Sequence, residues 1–422
     1  MVAATRSVAY PVALAGAPEI AIGLIGSNPF PRGAVVVFVF GWTVLAVLAT
    51  VARDASASSV RIWLSAPVML SLAFFALLVW QVEGGVGAYG LNQSYATLKI
   101  ELFVTGNLIV LVAGILIARH RGDFDLFVLL LLAVAALSAL LLVKQLLSGQ
   151  AIAEVGGRYS ISPQENPIFL GRRSSDGIII ALFLLLTGDT GGKRMLGLAA
   201  IPFLSVALLA SGSRGPVLGL IVGALVLLAL VVRDAVTRRR LVGVAAVGVI
   251  AAVLAPELVP GGNISRSLSF IAGSGPGLSS NGRFELWGEA WHAFLQHPLL
   301  GIGTGGFARL EPVFLYPHNL FLEALSEHGV VGFAVIALLF GFGVHRLARA
   351  RRRSAPDNRA RAALVIALFA SAFVNTLLSD SVELATTVWL CIGLGTGLAL
   401  AARETVPDEA PAGVPARPAV GT

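Results

Sequence analysis

The sequence predicts an all-α polytopic integral membrane protein of about twelve transmembrane helices, with a long extracytoplasmic loop that carries an amphipathic helix. Two observations point there. Hydrophobic residues make up 56% of the 422 and charged residues only 13%, against roughly 45–50% and 25% in a soluble domain. The apolar residues also fall in runs that match a bilayer core of about 30 Å, which takes about 20 residues of helix to cross.

Taken in order, the runs lie near 9–26, 33–52, 62–82, 96–118, 124–147, 167–187, 195–212, 215–232, 241–259, 328–345, 362–379 and 383–402. The first is interrupted by Pro11, Pro18 and Glu19. We read it as a span, although a cleaved signal peptide is equally short and apolar. The membrane domain is expected over 1–403. The Pro- and Ala-rich remainder, 404–422, is expected to be a disordered cytoplasmic tail.

Basic residues set the orientation. With the N-terminus inside, two thirds of the Lys and Arg side chains fall on cytoplasmic segments, including Arg238 to Arg240 and the run from Arg346 to Arg361. The outside nevertheless holds the two longest loops, so the bias places both termini in the cytoplasm. It also explains the sequence pI of about 10.2 without nucleic acid, because the cations are scattered in short clusters between spans. Cys391 is the only cysteine, which leaves no disulfide framework and no thiolate metal site. The six histidines are scattered, with no pair at ligand spacing, so neither a metal nor a cofactor is expected.

One charge breaks the pattern. From Met195 to Val232 the only charged side chain is Arg214, in the turn SGSRGP between two spans. This turn lies on the outer face, where topology asks for no cation. An outer-interface arginine can snorkel to headgroups. Here, however, the small residues around it let backbones approach and let the guanidinium turn inward. An arginine at a helix centre costs about 2.5–3.5 kcal/mol and commonly marks a functional path.

Other outer segments repeat this chemistry. Arg158 lies in the loop after the fifth run, and Arg172, Arg173 and Asp176 lie at the start of the sixth. Arg172 and Asp176 are spaced to pair, whereas Arg158 and Arg173 have no such neighbour. In the loop of about 260–327, Arg283 begins RFELWGEAWHAFLQH. Phe284, Trp287, Trp291, Phe294 and Leu295 fall on one helical face, with Glu285, Glu289, His292 and Gln296 opposite. This is the pattern of a helix lying in the outer interface. Gly301, Gly303 and Gly306 formally satisfy GxGxxG, but with no βαβ unit around them they read as a tight turn. In PHNLFLEALSEHG, Asn319 is placed to cap a helix. Glu323 and Glu327 follow on one face, and His318 stands at the membrane boundary with the side chain best suited to accept a proton near neutral pH.

SGSRG between two spans, then GRxxxW on an amphipathic helix, then HPLLGIGTGGF and PHNLFLEALSEHG resemble the bacterial O-antigen ligase and O-antigen polymerase family over about residues 155–335. The resemblance implies a GT-C-like membrane glycosyltransferase of the bacterial inner membrane, working on the periplasmic face. Its donor would be a glycan linked to undecaprenyl diphosphate. Its acceptor would be lipid A core in a ligase, or another lipid-linked glycan in a polymerase. The family's arginine in the SxSR motif matches Arg214, its loop arginine matches Arg283, and its HN histidine matches His318.

Arginine forks suit a diphosphate, being planar and permanently charged. Arg214 and Arg283, with Arg158 or Arg173, are therefore expected to hold the donor without a metal. His318 would orient or deprotonate the acceptor hydroxyl, with inversion at the anomeric carbon. Asn319, Glu323 and Asp380 are weaker candidates for sugar contacts or for orienting His318. The same charges also describe a secondary transporter of an anionic solute. Their gathering at one face, without a visible repeat, favours the enzyme.

Overall fold

The structure is a computed structural model that describes residues 62, 64–85, 93–153, 157–163, 165–232, 282–311, 313–353 and 355–404. The expected spans at 9–26, 33–52 and 241–259, the loop to 281 and the tail beyond 404 lie outside the described residues. Among the described residues the chain is helical apart from turns and one short antiparallel pairing, β1 (Ile152–Ala153) with β2 (Tyr159–Ser160).

The helices are α1 (Ala66–Glu83), α2 (Gln93–Leu102), α3 (Ile109–Arg119), α4 (Arg121–Leu147), α5 (Pro167–Thr187), α6 (Gly191–Ala210), α7 (Arg214–Val231), α8 (Arg283–Gln296), α9 (Phe307–Leu310), α10 (Leu320–Arg353), α11 (Pro356–Ser379) and α12 (Thr386–Glu404). A π-helical segment, Phe103–Leu108, joins α2 to α3. Seven helical stretches among the described residues are long and apolar enough to cross a membrane, and Thr386–Ala402 is a shorter apolar one. The protein is a multi-pass, all-α membrane protein.

Helix α5 begins where the sequence places it. Asn166 accepts from the Ile168 backbone N–H at 2.9 Å, and Pro167 occupies the first turn, where its missing N–H costs nothing. This helix carries three charges, yet most of its length is buried against α4, α6, α7 and α11. Protein rather than lipid surrounds those charges, which is how a bilayer tolerates them.

Helix α10 departs from the expected span at 328–345. It starts eight residues earlier, at Leu320, and breaks at Gly329, whose φ of 62° lies in the left-handed region. The segment 298–305 fills the break. Ile302 and Gly303 N–H donate to the carbonyls of Ser326 and Glu327 at 2.8 and 2.9 Å, while Val330 and Val331 N–H donate to Pro298 and Leu299. The expected tight turn is therefore also a plug, satisfying the backbone groups that a broken helix would otherwise leave bare in an apolar layer. Gln81 of α1 secures it by donating to the Leu300 carbonyl at 2.8 Å and accepting from Thr304 Oγ1 at 2.9 Å.

The amphipathic helix is present as α8, and the stripe that it packs against the protein lies apart from most of the aromatic face read in the sequence. Leu286, Ala290 and Ala293 face inward with Ile302 and Phe307. Phe284, Trp291 and Leu295 stay exposed, and Trp287 is half-buried. The small alanines permit close packing, so the large aromatics are left to face outward.

The two ends of the bundle differ. One gathers Arg158, Arg172, Arg214, Arg283, His318 and Asp380. The other holds the Arg121–Asp357 pair at 2.7 Å, the Arg361–Asp125 pair at 3.1 Å and the Lys193–Asp189 pair at 2.9 Å.

Candidate active site

The site grows from the turn at 211–213. Helix α6 ends at Ala210, and Gly212 takes a positive φ of 59°. Ser213 then precedes α7, whose first residue is Arg214. Arg158 braces this turn by donating from Nε to the Ser211 carbonyl at 3.2 Å and from Nη2 to Ser213 Oγ at 2.9 Å. The guanidinium of Arg214 thus projects from a helix N-terminus, where the macrodipole already favours an anion.

Arg172 and Arg173 part company one residue apart on α5. Arg173 turns away and pairs with Glu165 at 3.1 Å while donating to Ser138 at 3.0 Å. This corrects the expectation that Arg173 lacks a neighbour, because Glu165 arrives from the loop before the helix. Arg172 does not take Asp176 as its ion-pair partner. It bonds Asp380 Oδ1 at 2.5 Å and Ser379 Oγ at 2.7 Å, across the bundle at the end of α11.

Arg283 opens α8 behind Gly282 and is half-buried. Burial lowers its pKa, the charge of Arg214 lowers it further and Arg172 adds a smaller push, with Tyr316 opposing. An arginine stays charged regardless. Arg214 and Arg172 thus both lie within electrostatic reach of Arg283.

His318 stands beside them with a φ of 55°. Its ring lies 4.4 Å from Tyr316 and 6.0 Å from Phe314, centroid to centroid. The turn is fixed by Trp287, whose Nε1 donates to the Pro317 carbonyl at 3.1 Å. Asn319 caps α10 as expected, accepting from Phe321 and Leu322 N–H at 3.1 Å and donating to the Leu377 carbonyl at 3.1 Å.

Burial, and then the charge of Arg283, push the His318 pKa down to about 4, with a small contribution from Arg172. A hydrogen bond to the Ser379 backbone works the other way. The imidazole is therefore neutral at neutral pH, and its Nδ1 is buried with no hydrogen-bond partner among the described residues. Asp380 is raised to about 6 by burial, with Arg172 opposing. Tyr316 is raised to about 12, also chiefly by burial.

Glu323 is not open to a sugar. It is fully buried and accepts from Lys99 Nζ at 2.5 Å and from the Val382 N–H at 2.7 Å. Lys99 lies within the fourth apolar run and is not among the residues singled out from the sequence, and Arg172 pairs with Asp380 rather than with the carboxylate that local spacing offers. A lone lysine inside an apolar run is the same signal that Arg214 gives. The Arg172–Asp380 pair spans 208 positions and leaves no local signal. Among the described residues no group of three His, Cys, Asp or Glu side chains is arranged to hold a metal.

Residues 198–337 match the family model described as O-antigen ligase. The match covers about a third of the chain, and over that segment the protein is similar to this family. No curated protein matches the chain. The O-antigen ligase segment runs from α6 into α10, and so contains Arg214, Arg283, His318, Asn319 and Glu323. Arg158, Arg172 and Asp380 lie outside it and reach its residues through space, whereas Arg173 pairs with Glu165 and Ser138, which also lie outside it.

Proposed function

We propose that the protein is a membrane glycosyltransferase that moves a glycan from undecaprenyl diphosphate to a sugar hydroxyl at the periplasmic face, without a metal and with inversion. The observation that carries this reading is Arg283 within electrostatic reach of both Arg214 and Arg172, beside a neutral histidine that itself feels Arg283 and Arg172. Like charges held within reach of one another cost free energy, and an incoming diphosphate relieves that cost.

Arg214 and Arg283 take the diphosphate as bidentate forks, with Arg158 holding the turn that presents Arg214. As the acceptor oxygen bonds to C1, the C1–O bond to phosphate breaks and its electron pair stays on the diphosphate. The arginines stabilise that growing charge more strongly in a water-poor site than they would in bulk. The hydroxyl proton passes to His318. In the empty site burial first, and then the field of Arg283 and Arg172, makes the imidazole a weak base. Two phosphates placed among those arginines offset the field and raise its affinity for a proton, so the base is stronger with the donor bound than without it. Asn319 and Asp380 shape the turn around His318, and Arg172 acts through Asp380.

The O-antigen ligase match favours a lipid A core acceptor. A polymerase that elongates a lipid-linked repeat uses the same donor chemistry. A deletion strain separates the two: long chains missing from lipid A but retained on the carrier mean ligation, and single capped repeats mean polymerisation. Transfer itself is tested with purified protein and a purified lipid-diphosphate glycan, where wild-type protein that forms no glycosidic product removes the reading.

A further inference from the structure

Lys99 sits on α2 with only 1% of its side chain exposed. Its ammonium lies 2.5 Å from Glu323 Oε1, 2.5 Å from Glu327 Oε2 and 3.6 Å from Glu383 Oε2, each of these carboxylates being buried as well. Removing four ionisable groups from water is expensive, and a simple structural tie between two helices needs one pair, not four groups. The partners come from separate places: Glu323 and Glu327 from α10 ahead of its break, and Glu383 from the turn between α11 and α12.

What the cluster grips is informative. Glu323 Oε2 accepts from the Val382 N–H at 2.7 Å, and Asn107, in the π-helical segment that follows α2, donates to the Val382 carbonyl at 2.8 Å. Both backbone groups of Val382 are thus held by buried side chains. Three and two residues upstream, Ser379 and Asp380 are held by Arg172. Glu323 also lies one helical turn after Asn319, which caps α10 directly behind His318 and donates to Leu377. Glu327 meanwhile accepts from the backbone N–H of Gly305 at 2.9 Å and of Phe307 at 3.3 Å, tying the plug to the same point. The backbone carrying His318 and the backbone carrying Asp380 therefore share one anchor.

We propose that Lys99 is a positioning residue for the reaction: through Glu323 and Glu383 it fixes the 379–383 turn against the start of α10, and so sets where Asp380 stands relative to His318. This rests on the glycosyl-transfer reading given above. Lys99 touches neither donor nor acceptor. Its loss should disturb the chemical step while leaving the arginine forks that bind the diphosphate.

The test uses full-length protein in lipid nanodiscs with a purified lipid-diphosphate glycan, measuring kcat, donor KM and the unfolding temperature for Lys99→Met, Glu323→Gln and the double variant. Misplacing a reacting group by about 1 Å costs about a hundredfold. Lys99→Met is accordingly expected to lower kcat about a hundredfold with donor KM changed by no more than about twofold. The double variant should be no slower than the slower single, because both changes release one anchor. Folded Lys99→Met with wild-type kcat, or a loss carried by KM alone, overturns the proposal. If Lys99→Met does not fold, Glu323→Gln, which keeps size and shape, decides it: wild-type kcat there overturns it, and a selective fall in kcat supports it. Absence of transfer by the wild type would instead count against the reaction, a result distinct from wild-type-like variants of an active enzyme.

Discussion

Arg172 and Asp380 are joined by a 2.5 Å ion pair between the first half of α5 and the end of α11, and the same guanidinium reaches Ser379. The pair is largely buried, with side chains 15% and 5% exposed. Removing one partner of a buried pair typically costs about 3–5 kcal/mol, because the other charge is left bare. Arg172→Ala should therefore lower the unfolding temperature and also slow transfer, since Asp380 and Ser379 lose their tether beside His318. Parallel melting curves and initial rates check this; unchanged values for both would remove the pair from the account.

The pH dependence has a definite sign. His318 is held down at about 4 and Asp380 up at about 6. Between about 4 and its ordinary 6.5, His318 binds fewer protons folded than unfolded, so its contribution to stability grows as pH rises through that window. Asp380 binds more protons folded than unfolded between its ordinary value near 3.8 and about 6, and its contribution falls as pH rises there. For catalysis, kcat/KM reports the free enzyme and kcat the donor complex. Bound diphosphate offsets the arginine field on His318, so its acid limb should lie at higher pH in kcat than in kcat/KM. Coincident limbs would mean that the histidine does not feel the donor.

Gly329 offers a check on the fold. A Cβ there would run into the Leu299 carbonyl, and the positive φ is itself unfavourable for any other residue. Gly329→Ala should expel the plug from the break in α10 and sharply reduce the yield of folded protein in membranes. Wild-type yield and melting behaviour would show that the break tolerates a side chain.

The opposite end of the bundle supplies a control. Arg361 grips both oxygens of Asp125 at 3.1 Å, far from Arg214. Arg361→Ala should lower thermal stability without altering the donor KM, as measured on the protein that remains folded.

Much of this arrangement was legible in the sequence because a bilayer imposes a length on every helix. The start and end of α5 follow from Asn166, Pro167 and the apolar run behind them, and the cap at Asn319 follows from its side chain. Arg214 and His318 announce themselves as polar groups where the chain is otherwise apolar or turning. The partner of Arg172 did not, since local spacing offers Asp176 and only tertiary packing brings Asp380. The inward stripe of α8 was hidden for a related reason. Alanine carries little hydrophobic signal, yet Ala290 and Ala293 make the contact because they are small. The break at Gly329 leaves no periodicity signal either, since apolar residues continue on both sides of it.

The most direct measurement is glycan transfer from a purified lipid-diphosphate donor, with chelator present, by wild type, Arg214→Ala, Arg214→Lys and His318→Ala of verified fold. The account predicts transfer by the wild type without added metal. It predicts a loss of about 2–4 kcal/mol in barrier stabilisation for Arg214→Ala, by analogy with removing one oxyanion donor, which is about 30- to 1,000-fold in rate. It further predicts incomplete rescue by lysine and a comparable defect for His318→Ala. Wild-type rates in Arg214→Ala or His318→Ala would contradict it, as would activity abolished by chelator and restored by magnesium.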